Sequence, residues 1–452
     1  MHSMGNCRRK QPWLAVFLAV GILLASCGPS DAQIEELLAT PVTEKVTVKW
    51  LAVGEGTEPW MQSAANDFVT RFNNSQDEIK LDLTMALGGG GGGGLSTQID
   101  SGNIPDIVGP LSPGYGARFN DVWADIDSLA IEGTNLNAFD PVTLAAWRRD
   151  GKLIGIPFGY WPAVIFYNKD IFDKAGLPYP PHKYDEEYAG GGDWTLDKVA
   201  KIGPLMTLDK AGNSTRNLGF EADQAVQWGF VLDGDLRAAS AIFGTASLLD
   251  ASGEVKLPQS WRDAAHWMRR AVWDGRFFPN ELGYQRTRGD PFGSGAAAMY
   301  YAPTYFYCCQ TKFNWDIAAV PSWDGKATSR REHSGFGIPL ASQNQEAAMQ
   351  VIMAMTQDPA LLAAFRIVPA RTELRQDLVK SLAAQQPYID WQVLADSISH
   401  PDDPPYSQFL PGAGGAYNRL DQFVEALMTN PDFDVDAELD RLETDLQAIV
   451  GQ

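Results

Sequence analysis

The chain has 452 residues, a formal net charge of −20, 45% hydrophobic residues and 20% charged residues. This length gives room for two or more domains, and the composition is that of a globular protein rather than a disordered chain. The acidic balance argues against nucleic acid and against electrostatic docking on anionic lipid, because both partners require a basic patch. A neutral small ligand is compatible with such a surface.

The N-terminus has the pattern of a bacterial lipoprotein signal. Basic residues at 8–10 precede an apolar segment at 13–24 that is too short to span a bilayer comfortably, and Leu-Ala-Ser-Cys-Gly follows. The small residues before Cys27 fit a lipobox, which predicts a signal peptide over residues 1–26, a lipid on the Cys27 thiol and a tether over residues 27–45. The alternatives are an ordinary secretory signal with a chance cysteine, or a signal anchor. We therefore expect an extracytoplasmic protein anchored to the cell membrane by lipid, in the periplasm or on the cell surface.

Two further motifs give no support for a cofactor or a metal. Cys308 and Cys309 are adjacent, so a disulfide between them would be strained, and without nearby histidines they do not form a zinc site. Seven glycines at 88–94 are followed by Leu95, where a phosphate-binding loop needs a lysine. We expect two buried free thiols, a flexible glycine loop, and neither a cofactor nor a metal.

The first part of the chain alternates between strand and helix patterns. A β-branched run predicts a strand at 46–53, helical spacing predicts a helix at 61–72, and a second strand is expected at 79–84. This order is typical of a mostly parallel sheet, in which ligands bind at the carboxyl ends of strands. Glu55 follows the first strand directly, and Asp106 precedes a further short strand.

Residues 153–181 are predicted to join two rigid bodies. Two apolar strands are expected at 153–156 and 163–167, separated by a break, with a short helix at 171–175 after them. The residues that cause the break are Pro157, Gly159 and Pro162. Tyr160 and Trp161 lie at this break, which we interpret as a hinge that carries a binding surface.

The later chain shows neither an internal repeat nor a motif for catalysis. Helices are expected at 260–274 and 345–356, and strands at 297–301 and 314–321. G-x-S-x-G and H-E-x-x-H motifs and a Cys/His nucleophile set are absent from the sequence, and its 5 histidines are scattered. We therefore expect a protein that is not an enzyme, with no catalytic residues.

Several short motifs follow one another along the chain. They are Ser101-Gly102, Pro105-Asp106-Ile107-Val108, Gly151-Lys152-Leu153, Ile156-Pro157, Tyr167-Asn168-Lys169-Asp170, Ala175-Gly176-Leu177-Pro178, Trp194-Thr195, Phe292, Gly295, Ala298-Met299, Asp316-Ile317-Ala318 and Pro321. In this order they resemble the extracellular solute-binding lipoproteins of ABC importers, in the sugar-binding branch that includes maltose-binding protein. Each motif alone is weak, whereas their ordered spacing covers nearly the whole mature chain.

The resemblance implies an α/β, two-lobed periplasmic-binding-protein fold of type II. Each lobe would be a mostly parallel sheet flanked by helices, with the ligand cleft between the lobes. The first lobe would take residues 45–158 and 325–372, and the second would take residues 159–324 and 373–452. The implied partners are a small solute, the transmembrane subunits of an ABC permease and the membrane through the lipid anchor alone. No nucleic acid is expected, and the chain is expected to be a monomer.

The resemblance also places ligand contacts at several positions of this sequence. Together with the residues singled out above, the candidate ligand-binding residues are Glu55, Asp106, Ser112, Tyr160, Trp161, Trp228, Tyr301, Tyr305, Arg371 and Tyr417. Maltose-binding protein has an acidic residue where Trp161 falls and an aromatic one where Tyr305 falls, so maltose itself is not carried over.

A sugar is the favoured ligand class on chemical grounds as well. Aromatic faces match the C–H face of a pyranose, and carboxylates accept pairs of hydroxyl hydrogen bonds. Core packing is the alternative role for each aromatic residue, while Asp106 could instead cap a turn and Arg371 could form a surface ion pair. A secreted carbohydrate-active enzyme, and the same fold with a polyamine, peptide or organic anion as ligand, are the alternative functions.

Overall fold

A computed structural model describes most of the chain from residue 45 onward. The described residues are 45–53, 59–86, 95, 97–99, 101–116, 119, 122–129, 134–234, 236–244, 247–250, 252–287, 289–308, 312–404 and 413–451. The predictions for the signal peptide and tether, for Cys27, for Glu55, for the glycines at 88–94 and for the thiols of the 308–309 pair lie outside the residues and side chains that it describes.

One large sheet runs through the described chain. The strands are β1 (Val46–Ala52), β2 (Ile79–Met85), β3 (Ile107–Leu111), β4 (Arg148–Arg149), β5 (Lys152–Leu153), β6 (Ile156–Asn168), β7 (Leu208–Asp209), β8 (Ala225–Gln227), β9 (Val231–Leu232), β10 (Met299–Pro303), β11 (Trp315–Ala318), β12 (Arg331–Gly337) and β13 (Val368–Pro369). The order in the sheet is β2-β1-β3-β12-β6-β10-β9, and β11 and β13 also pair with β6. Strands β4 and β5 form one small separate sheet, and β7 and β8 form another.

Helices surround these strands. They are α1 (Pro59–Ser75), α2 (Pro113–Gly116), α3 (Pro141–Ala145), α4 (Lys169–Ala175), α5 (Leu196–Met206), α6 (Leu236–Ser240), α7 (Gln259–Arg269), α8 (Glu281–Arg286), α9 (Gln345–Met355), α10 (Pro359–Phe365), α11 (Arg375–Gln385), α12 (Gln392–Ser397), α13 (Ala413–Thr429) and α14 (Val435–Val450). Helix α4 starts two residues before its predicted start, because the Asn168 side chain caps it by accepting from the Ile171 N–H. It ends as predicted at Gly176, which has a left-handed φ of 65°.

The large sheet is mixed rather than mostly parallel. Strand β1 pairs in parallel with β2 and β3, as the strand–helix–strand order predicts. Strand β12 is antiparallel to both β3 and β6, and β6 is antiparallel to β10 and β11. The expectation of mostly parallel lobes therefore fails at the centre of the sheet, where β12 enters between strands that precede it in sequence.

Strand β6 corrects the predicted break at residues 157–162. It is one continuous strand of 13 residues, and every residue in it is buried. Its register with β12 shifts so that Gly335 faces Pro157 and Ser334 faces Gly159, which leaves Phe158 as an extra residue. A bulge of this kind accommodates the missing N–H of proline without ending the strand.

The apolar core consists of two clusters, and β6 contributes to both. One cluster draws on residues 48–158, Trp161 and residues 336–370, and the other draws on Tyr160 and on residues 163–446. Two cores on one shared sheet are the two lobes of the α/β fold. The lobe boundaries given above stay a prediction.

Candidate functional site

Strands β6 and β12 lie side by side at the point where the chain passes from one core cluster to the other. In their register, Trp161 is opposite Glu332 and Tyr160 is opposite His333. Because successive side chains of a strand point to opposite faces, Trp161 and Glu332 share one face of the sheet, and Tyr160 and His333 share the other. We call these the front face and the back face.

A buried arginine joins two carboxylates on the front face. The Arg330 side chain has 0% exposure, and its Nη2 lies 2.9 Å from Asp233 Oδ2 and 3.1 Å from Glu332 Oε1. Its Nη1 also donates to the backbone oxygen of Asp233 at 3.0 Å. The carboxylates remain partly accessible, with 19% and 21% of their side chains exposed. We call Asp233, Arg330 and Glu332 the front cluster; its guanidinium is buried, whereas the side chains of both acidic residues reach solvent.

The protonation of Glu332 is shifted by its surroundings. Burial, together with the nearby carboxylate of Asp233, raises the pKa of Glu332 from 4.5 to about 7. Arg330, a hydrogen bond from Tyr305 and the charge of Arg237 act in the opposite direction. Burial is the largest of these effects and outweighs them. Glu332 can therefore donate or accept a hydrogen bond near neutral pH.

Aromatic side chains lie next to the front cluster. The ring centroids of Trp161 and Tyr305 are 5.6 Å apart in an edge-to-face arrangement, and Tyr305 stacks on Phe306 at 4.9 Å. Trp161 is 1% exposed, and its indole N–H donates to the Phe365 oxygen at 2.9 Å. Tyr305 is half-buried. The tyrosine is thus the aromatic surface that meets solvent, and the tryptophan supports it.

Two more of the candidate tyrosines adjoin the front cluster. The Tyr301 hydroxyl accepts from the backbone N–H of Arg330 at 3.1 Å, and this ring is fully buried, which raises the pKa of Tyr301. Arg237 of α6 lies 4.4 Å from the ring centroid of Tyr417 and donates to its hydroxyl at 3.2 Å. The positive charge of Arg237 also lowers the pKa of Glu332, so this arginine interacts with both Glu332 and Tyr417 of α13.

Tyr160 occupies the back face and therefore does not join Trp161. Its ring lies 5.6 Å from the His333 ring and 5.1 Å from the Arg331 guanidinium. The Tyr160 hydroxyl is buried and has no hydrogen-bond partner among the residues that the structure describes, and burial raises its pKa. Burial together with Arg331 lowers the pKa of His333 to about 3, so this imidazole is neutral at physiological pH. Tyr160 and Trp161 are adjacent in the sequence but therefore lie on opposite faces of the sheet.

Asp106 and Ser112 flank β3 in the first core cluster. The Asp106 carboxylate is 4% exposed and accepts from the Lys49 N–H at 2.8 Å and the Ser342 hydroxyl at 2.5 Å. These bonds hold β1 and the segment after β12 together. Ser112 is half-buried directly after β3, and its backbone oxygen accepts from the Gly116 N–H at 3.0 Å. Ligand contacts by either residue remain a prediction.

Arg371 and Trp228 lie apart from the front cluster. Arg371 is 7% exposed; its Nε donates to the Thr356 hydroxyl at 3.0 Å, and its guanidinium lies 4.6 Å from the Phe139 ring centroid. Trp228 precedes β9 and bridges to Ala297, at the end of β10 opposite to Tyr305. The structure therefore brings together Trp161, Tyr301, Tyr305 and Tyr417, and leaves Arg371 and Trp228 elsewhere.

The sequence reasoning missed the charged residues of this site. Asp233, Arg237, Arg330 and Glu332 belong to no motif. One signal was available, because Arg330, Arg331 and Glu332 form a run of three charges shortly before the expected strand at 335–339, and charges that become buried require partners.

The front cluster offers both donors and acceptors beside an aromatic ring, which suits a small polar ligand with an apolar side. Among the residues that the structure describes, no group of three His, Cys, Asp or Glu side chains could hold a metal ion. The described helices also include none with the length and apolar character to cross a bilayer.

A two-lobed α/β fold with such a site at the strands joining its lobes is the architecture of a ligand-capturing protein. Residues 67–385 match the bacterial extracellular solute-binding proteins, and the chain belongs to this family. It therefore acts outside the cytoplasm.

Solved structures with the same fold are similar over nearly the whole chain. An ABC substrate-binding protein of Listeria monocytogenes, in complex with cycloalternan, has a TM-score of 0.71 at 18% identity and covers 90% of this chain and 99% of its own. The cyclic α-maltosyl-1,6-maltose binding protein of Arthrobacter globiformis has a TM-score of 0.68 at 15% identity, with 90% and 99% covered. UgpB of Mycobacterium tuberculosis, in complex with glycerophosphocholine, has a TM-score of 0.67 at 17% identity, with 90% and 98% covered.

A curated relative, a putative binding protein of Brucella abortus (strain 2308), is 46% identical over 37 residues. That match spans 8% of this chain and 9% of the relative. At these identities the solved structures establish the fold, and the ligand has to be argued from the site.

Proposed function

We propose that this chain is the substrate-binding component of an ABC importer and captures an extracellular sugar or oligosaccharide between its lobes for delivery to the permease. The observation that carries this proposal is the front cluster beside Tyr305. The partly exposed carboxylates of Asp233 and Glu332 provide acceptors for hydroxyl groups, protonated Glu332 provides a donor, and the half-buried tyrosine ring provides an apolar face.

The charge of the site favours a neutral ligand. The carboxylates of Asp233 and Glu332 share one guanidinium, and Arg237 lies nearby, so positive and negative groups are balanced. A strongly anionic or cationic solute would bring a charge that finds no free partner among these groups, and burying an unpaired charge costs several kcal/mol. Cycloalternan and cyclic α-maltosyl-1,6-maltose, the sugars named for two of the similar structures, are neutral and support the same class.

A non-sugar solute is the second candidate. UgpB has the same fold with glycerophosphocholine bound, and carboxylates beside aromatic rings also suit a quaternary ammonium group. A ligand panel therefore has to include this compound beside neutral sugars.

The ligand-contacting residues in this proposal are Tyr305, Tyr417, Glu332, Asp233 and Arg237, with Trp161 and Tyr301 as supports. Glu55 and Ser112 would add contacts from loops that follow strands. Asp106, Tyr160, Trp228 and Arg371 were also predicted as contacts, and variants of each decide whether they belong to the site. No catalytic residue is proposed.

Tyr305→Ala tests the proposal. Isothermal titration of the wild-type protein against maltotriose, mannotriose, trehalose and glycerophosphocholine first identifies the class of ligand. Tyr305→Ala should weaken binding of the compound found by at least about tenfold, because stacking and aromatic burial contribute roughly 1.4 kcal/mol or more. Tyr388→Ala is the matched control, since Tyr388 is an exposed tyrosine in the segment between α11 and α12. Equal affinities for the two variants would refute this site.

The lobes and the anchor complete the proposal. We assign residues 45–158 and 325–372 to the first lobe and 159–324 and 373–452 to the second, and this division is supported by the two core clusters.

We also propose that a lipid on Cys27 anchors a monomeric protein to the membrane, on the strength of the lipobox pattern. Cys27→Ala should move the protein from the membrane to the soluble fraction. A mature N-terminus without a lipid, read by mass spectrometry, would contradict the anchor.

A further inference from the structure

A second cavity, which we call the lateral cavity, lies away from the front cluster. Its volume is about 440 Å³, within the range of small-molecule sites. Its aromatic lining residues are Phe220, Trp228, Trp273 and Phe278, and its charged ones are Asp223, Arg269, Asp274 and Arg276. Trp228 and Phe278 are 3% exposed and form its interior, whereas Asp223 and Arg276 are exposed and form its rim.

An irregular helix end shapes this cavity. Helix α7 continues into a π turn, Arg270–Asp274, and Arg276 after it has a positive φ of 55°. Turns of this kind are uncommon, cost backbone energy and recur at functional sites. The turn brings Trp273 to the cavity, where its indole N–H is fixed by the Leu427 oxygen at 2.8 Å. A hydrogen bond therefore holds the Trp273 ring in place in the cavity wall.

The lateral cavity is distinct from the proposed cleft. Trp228 bridges to Ala297, before β10 begins, whereas Tyr305 comes after β10 ends. At about 3.3 Å per residue along a strand, these positions are separated by roughly 20 Å. A ligand in one site does not reach the other.

The lining identifies the chemistry of the ligand. Arg269 Nη1 lies 2.5 Å from Asp274 Oδ1, so this pair of charges is mutually satisfied. Asp223 and Arg276 add one negative and one positive group, which leaves the lining neutral. Aromatic walls with balanced donors and acceptors match a neutral polyhydroxylated ring, because its C–H face packs on indole while its hydroxyls pair with carboxylate and guanidinium.

We propose that the lateral cavity is a second sugar site, which binds one neutral pyranose ring independently of the cleft between the lobes. It would hold a monosaccharide or the terminal residue of a longer chain. The site does not depend on which solute the cleft takes.

Two variants test this site without removing core contacts. Ala222 is exposed at the cavity lining, so Ala222→Trp places an indole in the opening. Arg276→Gly removes the rim guanidinium at a backbone conformation that glycine adopts readily. Circular dichroism and thermal unfolding of both variants establish that they fold.

The measurement is saturation-transfer NMR and calorimetric titration with glucose, galactose, mannose and trehalose as probes. They are applied to the wild-type protein, to Tyr305→Ala and to Tyr305→Ala combined with each cavity variant. We expect Tyr305→Ala to retain binding of at least one probe, and the added Ala222→Trp or Arg276→Gly to weaken that binding at least tenfold. Ala222→Trp alone should leave cleft affinity unchanged. Absence of residual binding in Tyr305→Ala, or residual binding that both cavity variants leave intact, would overturn the second site; failure of the cleft would show separately, as equal affinities of Tyr305→Ala and Tyr388→Ala.

Discussion

Glu332→Gln should stabilise the protein at alkaline pH and change its stability little in acid. The pKa of Glu332 is raised from 4.5 to about 7, so the folded state holds a proton more tightly than the unfolded chain does. The stability that this proton provides is fully present below about pH 4.5 and is lost as the pH rises through about 7. Glutamine is neutral at every pH and keeps the shape of the protonated acid, so the variant lacks this loss.

The size of the effect follows from the pKa difference. At 1.36 kcal/mol per pKa unit, the rise from 4.5 to about 7 corresponds to about 3 kcal/mol. The side chain keeps 21% exposure, and residual hydration makes this figure an upper bound. The free energy of unfolding of Glu332→Gln, minus that of the wild type, should therefore increase by up to about 3 kcal/mol between acid and alkaline conditions.

Urea unfolding of both proteins between about pH 4 and about pH 8.5 measures this difference, because all other titrating groups cancel. Glu373→Gln is the matched control, because it makes the same substitution at a carboxylate that also lies beside an arginine, Arg371 at 3.5 Å, but is 53% exposed. The reasoning fails if the curves of wild type and Glu332→Gln run parallel, or if the wild type gains relative stability as the pH rises.

Three further substitutions test the packing around the site. Gly159→Ala puts a Cβ 2.2 Å from a backbone oxygen of β13 and should lower the free energy of unfolding in urea by about 1–3 kcal/mol. Gly414→Ala is its control: this glycine lies in open space on α13, so alanine there should raise the free energy of unfolding by about 0.5–1 kcal/mol. Asp106→Asn weakens a buried acceptor of the Ser342 hydroxyl and should cost about 1–3 kcal/mol in the same assay; an unchanged value would contradict the network. Trp161→Phe removes the indole N–H and should cost a similar amount in thermal unfolding while it keeps an aromatic ring against Tyr305.

The first elements could be predicted because their signals are local. The β-branched run and the helical spacing predicted β1, α1 and β2, and the structure has them at Val46–Ala52, Pro59–Ser75 and Ile79–Met85. Their parallel pairing followed from the strand–helix–strand order. Each of these inferences needs a window of a few residues and one general rule of chain connection.

The continuity of β6 could not be predicted in this way. Pro157 and Gly159 are strand breakers in isolation, yet a bulge opposite β12 and the close approach of β13 accommodate them. Gly159 is needed there because a side chain would meet the Val368 oxygen. Whether a proline or glycine ends a strand thus depends on partners that lie far away in the sequence.

The front cluster was hidden for the same reason. Arg330 binds a carboxylate almost a hundred positions earlier, and only the pairing of β12 with β6 places Glu332 beside Trp161. The tyrosines near it were found through the family resemblance, which carries information about the fold that a single residue pattern lacks. A resemblance transfers positions, whereas the charges at those positions have to be read from the structure.

The alternation of β6 decides how its adjacent aromatic residues act. Tyr160 and Trp161 look like one binding surface in the sequence, but a strand sends neighbouring side chains to opposite faces. Trp161 packs under Tyr305 on the front face, in one core cluster, while Tyr160 contacts His333 on the back face, in the other. A change at Trp161 therefore acts on the front cluster directly, whereas a change at Tyr160 reaches it through the strand. This strand joins the two cores because its buried residues belong to both clusters, and the candidate site lies on one face of it.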